Sequence, residues 1–238
     1  MSLPVVAHAQ GGTTNARALS GDRFLAGGGE YKLTDVTAPA LYTIDNQRPA
    51  YFDKARVALQ MLLSAEFAIE KIGAPNRWGV QMSTVKSVSA GKTFQEILTQ
   101  EGAVRVAPET DDHEFIDRLL ALETLARDAR AGLWFIDDYG VFEAGSAEGA
   151  IGGYHLIEGV AKRAANTRSR LYLNFGEDYR TDFTAGAAGR LHRRWLNNGF
   201  DLEALEGAHV RIRGFVEEIN GPSIDLTHQK QIELLTGV

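Results

Sequence analysis

The chain has 238 residues, with 25 Lys and Arg against 31 Asp and Glu, 25 Gly, 6 Pro and no Cys. A content of 44% hydrophobic and 24% charged residues excludes wholesale disorder, and the lack of Cys excludes disulfides, thiolate metal sites and a thiol nucleophile. The net charge of −6 falls within residues 1–150, which carry 14 basic and 20 acidic side chains, while residues 151–238 carry 11 of each. A nucleic-acid site would therefore have to be a local patch or cleft. No apolar run approaches the ~20 residues that span a bilayer.

At the N-terminus, Leu3 to Ala7 is apolar and Ala7-His8-Ala9 has the small-x-small form of a signal-peptidase site. Residues 3–10 read either as a signal-peptide remnant, which would imply a periplasmic or secreted protein, or as an ordinary N-terminal lead. Tyr31 to Val36 alternates apolar and polar residues as a half-buried strand does. Pro49 opens a helix with Phe52, Ala55, Leu59 and Leu62 on one face. Two strands, Glu66 to Ile72 and Val80 to Val88, flank a polar turn at 74–77. Thr93 to Gln100 is a short helix, and Val104 to Val106 is extended.

The clearest helix covers residues 112–131. Asp111 and Glu114 give it a capping-box-like start, Ile116, Leu119, Leu120 and Ala126 a buried stripe, and Gly132 an end. Residues 140–153 hold five Gly and are the expected linker. Strands then follow at 154–161, 171–175 and 182–185, with a helix near 187–198. Two more strands, 209–218 and 223–226, are joined by the tight turn Asn220-Gly221. Three strands, a helix and two strands fit a five-stranded OB barrel. The fold expected is α+β and mainly β: one domain at 16–140, then an OB-like domain at 151–238.

Three ordered segments resemble the staphylococcal-nuclease-like (thermonuclease) family. They are Tyr31 to Pro39, Asn76-Arg77-Trp78-Gly79, and the helix with Leu122, Glu123, Ala126 and Arg127 that runs into Gly132-Leu133-Trp134. The second half, around Tyr172 to Tyr179, resembles an extra C-terminal domain of some bacterial members. The resemblance implies an OB-type first domain and calcium-dependent phosphodiester hydrolysis. In that chemistry two Asp hold the metal, a Glu serves the water and two Arg meet the developing charge.

Carried over position by position, the family set is thin. Asp22, after Gly21, stands at the first calcium ligand, and as a bare residue it is also an ordinary turn Asp. Lys32 replaces the first Arg, which keeps a charge but loses the bidentate fork. Thr37 replaces the second Asp, Ala40 the Glu, and Val80 the second Arg. Glu30 and Asp35 are the nearby carboxylates that would have to substitute. The expectation is a degenerate nuclease domain that binds nucleic acid or an envelope or protein partner, with no cofactor. The alternative is a divergent calcium-dependent phosphodiesterase.

Outside this set, Asp111 to Glu114 reads as helix capping, Gly27-Gly28-Gly29 lacks the Lys of a phosphate loop, and no Ser lies in a nucleophile elbow. Arg190, Arg193, Arg194 and Trp195 form a basic-aromatic cluster of the kind that binds single strands. The same spacing also puts Leu191 and Trp195 on a core face. Tyr172, Phe175 and Tyr179 are either a stacking platform or barrel filling.

Overall fold

A computed structural model describes residues 15–39 and 49–235. The signal-like segment at 3–10 and Ala40 lie outside the described residues. The chain divides into two compact units between Asp137 and Asp138.

In the first unit the strands are β1 (Arg17–Ala18), β2 (Arg23–Ala26), β3 (Gly29–Leu33) and β4 (Val36–Thr37). After α1 (Phe52–Leu63) come β5 (Phe67–Lys71), β6 (Val80–Ser87), α2 (Phe94–Gln100), β7 (Arg105–Val106) and α3 (His113–Asp128). Five strands form one sheet in the order β1-β2-β3-β6-β5, with β3 and β6 parallel, and β4 pairs with β7 separately. The strand expected over Tyr31 to Val36 is broken at Asp35, whose φ of 60° turns the chain out of the sheet.

Apolar residues at helical spacing fix α1 on the core through Phe52, Ala55, Leu59 and Leu63. Thr93 and Glu96 form a complete capping box on α2. On α3 the cap is Asp112 rather than Asp111. Its carboxylate accepts from the Phe115 amide at 3.0 Å, because α3 begins one residue later than the pattern suggested. The helices cover a core of Phe24, Leu33, Val85, Phe94, Leu98, Ile116 and Leu119.

The Gly-Leu-Trp end of this unit has a packing reason. Gly132 has φ 59°, and a Cβ there would lie 2.3 Å from the Gly102 carbonyl oxygen. Reciprocally, a Cβ on Gly102 would lie 2.3 Å from the Ala131 oxygen. Two glycines thus let the loop after α2 touch the end of α3, where the Leu133 amide donates to Gly102 O at 2.8 Å and Leu133 is fully buried.

The second unit holds β8 (Val141–Glu143), β9 (Tyr154–Val160), β10 (Arg163–Asn166), β11 (Arg170–Asn174) and β12 (Thr184–Ala188). Then follow α4 (Gly189–Asn197), β13 (His209–Glu218), β14 (Pro222–Leu226) and β15 (Ile232–Leu234). The sheet order is β10-β11-β12-β14-β13-β9-β8, with β15 beside β13 and with β12 and β14 parallel. Only Ala161 and Lys162 separate β9 from β10, yet these strands lie near opposite ends of the order. The sheet must therefore curl back on itself, although its described ladders form an open path rather than a closed ring. The helix falls between β12 and β13, as the OB-like reading expected.

The Gly-rich stretch expected as a linker is folded. Val141–Glu143 pairs with β9, and the 3₁₀ turns of Ala144–Ala150 bury Ala147 and Ala150 in the second core. Small residues there serve close packing rather than chain freedom. The Asn220-Gly221 turn is as expected, with φ of 53° and 85°.

Candidate functional site

In the first unit the positions singled out by sequence lie around β3, β4 and the segment that precedes α3. Lys32, on β3, points its ammonium at Glu109, with Nζ 2.8 Å from Oε2 and 3.0 Å from Oε1. Glu109 gave no signal in the sequence. It stands between strand and helix in Ala107-Pro108-Glu109-Thr110, which reads as a connection.

Asp35 explains how Glu109 is placed. Its side chain is fully buried. One oxygen accepts from the Glu109 and Thr110 amides at 2.8 and 2.9 Å, and the other accepts from the Thr110 hydroxyl at 2.8 Å. An Asp tolerates the left-handed backbone at this corner. Its carboxylate thereby ties the turn after β3 to the entry of α3. Asp35 is thus committed to the fold, and the geometry does not offer it as a free substitute ligand.

Asp22 is also buried. The Ser20 hydroxyl donates to its Oδ1 at 2.6 Å, and its carbonyl accepts from the Leu33 amide at 2.8 Å. The preceding Gly21 is required sterically, since a Cβ there would come within 2.8 Å of both Ala38 and Ala55 Cβ atoms. Glu30 forms a cross-strand ion pair with Arg23, so it too has a partner. Thr37 pairs in register with Arg105 of β7. Val80 begins β6 as a core residue, 4% exposed, opposite Glu30. An Arg at Val80 would have to extend out of this packing to reach a ligand.

The cluster has one distinct electrostatic feature. Desolvation of the Glu109 carboxyl pushes its pKa up; Lys32 pulls it down, and Asp35 and then Asp22 push it up again. Two-fifths of the Glu109 side chain nevertheless remains open to solvent. Among the described residues, Asp22, Asp35 and Glu109 do not bring three carboxylate oxygens within 4.8 Å of one another.

In the second unit, α4 splits the basic-aromatic cluster. Trp195 is 5% exposed and packs edge-on against Phe200 with ring centroids 6.0 Å apart. It belongs to the core of this unit, the second of the two placements that its spacing offered. Arg190, Arg193 and Arg194 are exposed on the opposite side. The i, i+4 placement of Leu191 and Trp195 sets this division. The three aromatics farther upstream divide as well: Phe175 is buried against Phe183, whereas Tyr179 is exposed.

Residues 30–135 match the family model described as staphylococcal nuclease homologue. The matched segment runs from β3 to the end of the Gly-Leu-Trp turn. It includes Lys32, Thr37, Val80 and Glu109, and leaves Asp22 outside. No curated protein matches the chain. Among the described residues, no helix is long and apolar enough to cross a membrane.

Proposed function

We propose that the staphylococcal nuclease homologue domain is catalytically degenerate and that the protein works by binding, with single-stranded nucleic acid as its ligand. One observation carries the reading. The only cation at a family arginine position, Lys32, is held by both oxygens of Glu109. A phosphate approaching it meets a neutralised ammonium and a neighbouring carboxylate. Phosphoryl chemistry needs preorganised, uncompensated cationic donors at that place.

The donor set does not suit calcium either. A hard divalent ion takes 6–8 oxygens, with affinity set by carboxylate count. At the family's ligand positions Asp22 supplies a carboxylate and Thr37 none, and Asp35 is engaged by three donors. The test is an assay of single-stranded DNA cleavage with calcium, alongside polynucleotide binding at two salt concentrations. The proposal expects no appreciable cleavage and a steep salt dependence of binding. Binding without a salt slope would favour a protein or envelope partner instead.

A second reading, a divergent calcium-dependent phosphodiesterase, draws on the raised pKa of Glu109 beside Lys32 and Asp22, since perturbed carboxyls cluster at working sites. It requires that Asp22→Ala and Glu109→Gln each abolish cleavage. Periplasmic or secreted placement remains a proposal from residues 3–10, testable by N-terminal sequencing of the protein from its native cell.

A further inference from the structure

The curled sheet of the second unit has one face packed on its core and one face open. Leu171 and Leu173 of β11, Ala185 and Ala187 of β12, and Ile224 of β14 point inward. Their alternating neighbours line a cleft of about 450 Å³ over β10, β11, β12 and β14. That volume lies within the range of about 300–1,000 Å³ typical of ligand pockets.

The side chains in this cleft have a consistent chemistry. One edge of the Tyr172 ring sits over the facing Gly186, where a Cβ would come within 2.7 Å of it. The missing side chain leaves room for the ring, which borders the cleft. Tyr179, 57% exposed, supplies a second ring. Asn174, Thr184 and Ser223 add an amide and two hydroxyls, and Arg163 adds a guanidinium.

Charge separates this cleft from the rest of the molecule. In a chain of net charge −6, none of its lining side chains is acidic. Four other cations of this unit are held in ion pairs: Arg170 with Asp225, Lys162 with Glu177, and Arg211 and Arg213 with Glu158 and Glu233. Arg163 makes no ion pair with a described residue and stands at the edge strand of the sheet. An anionic ligand with a flat ring and hydrogen-bonding edges fits such a lining.

We propose that this cleft is a nucleotide subsite for single-stranded nucleic acid, with a base stacked on Tyr172 and the adjoining phosphate on Arg163. Tyr179 flanks the base, and Asn174, Thr184 and Ser223 meet the sugar or base edge. Stacking on a tyrosine accepts any base, so the subsite favours single strands over duplexes without reading sequence. The inference deepens the nucleic-acid reading above, on which it rests for ligand class, and moves the contact from the nuclease-like domain to the second unit.

The test is fluorescence anisotropy of a fluorescein-labelled oligothymidylate of about 12 nucleotides with the full chain, within the site sizes of OB-type binders. Tyr172→Ala should weaken binding roughly 5- to 150-fold, and Tyr172→Phe should restore it. Arg163→Gln should lower the slope of log affinity against log salt by about 0.7, the value for one contact to a single strand. Arg56→Ala, on α1 of the other unit and away from the candidate site, should change neither. If Tyr172→Ala unfolds the unit, Tyr179→Ala at an exposed position carries the test, with a smaller loss expected. Oligonucleotide binding that ignores Tyr172, Tyr179 and Arg163 overturns the subsite but leaves the nucleic-acid reading standing. No binding by the unaltered chain overturns both. Equal affinity for thymidine monophosphate and the oligonucleotide overturns the polymer as ligand.

Discussion

Asp35 gives the sharpest test of whether the nuclease-like cluster is scaffold or machinery. Its buried carboxylate accepts from two backbone amides and one hydroxyl, all within 2.9 Å, at a backbone φ of 60°. Asp35→Ala leaves the Glu109 and Thr110 amides without that acceptor, at about 1–3 kcal/mol each. Alanine in the left-handed region adds about 1 kcal/mol. Relief of the carboxylate's own desolvation offsets part of this, for a net loss of about 3–5 kcal/mol. Asp35→Asn keeps one oxygen for both amides and tolerates the backbone, so it should cost about 1–2 kcal/mol. Urea unfolding followed by tryptophan fluorescence reads the difference, since Trp78 and Trp134 lie in the first unit. With a slope of about 2 kcal/mol per molar, the midpoint should fall by about 1.5–2.5 M for Ala and about 0.5–1 M for Asn. A shift below about 0.5 M for Asp35→Ala would refute the anchoring role. Loss of a calcium-dependent cleavage at unchanged stability would instead make Asp35 part of a reacting site.

Because the folded state holds the Glu109 proton more tightly than the unfolded chain, stability should fall as pH rises from the ordinary carboxylate range through the raised Glu109 value. Lys32→Met removes the group that pulls that value down, so the window should extend upward; carboxyl carbon-13 shifts follow it, and a Glu109 titration at or below the ordinary range would contradict the argument. Ala150→Glu, harmless in a flexible linker, should cost the second unit about 2–4 kcal/mol because the site is fully buried. An unchanged unfolding midpoint would return residues 140–153 to a linker role. Trp195→Ala should cost about 3–5 kcal/mol as a core truncation, whereas Arg190→Ala and Arg193→Ala on the exposed side should stay within about 0.5 kcal/mol; comparable losses at all three would mean the helix face is misassigned.

Local rules made much of the secondary structure legible in the sequence. The stripe of Phe52, Ala55 and Leu59 placed α1, the apolar face of Phe94, Ile97 and Leu98 placed α2, and Asn220-Gly221 placed the β13–β14 turn, because each signal acts over a few residues. The Gly-Leu-Trp motif was legible as a pattern, but its cause was not. The contact between Gly132 and Gly102 joins segments 30 residues apart. Strand β10 carries no β-branched or large apolar residue and exists because β11 offers it a ladder. The Ala-Gly run after Val141 reads as flexible until a core closes around Ala147 and Ala150. The sequence alone showed which family positions had changed at Lys32, Thr37, Ala40 and Val80. Only the tertiary structure brought Glu109 to Lys32, 77 positions away, and withdrew Asp35 into the scaffold. A side chain's charge is written in the sequence, but the partner that neutralises it is chosen by the fold.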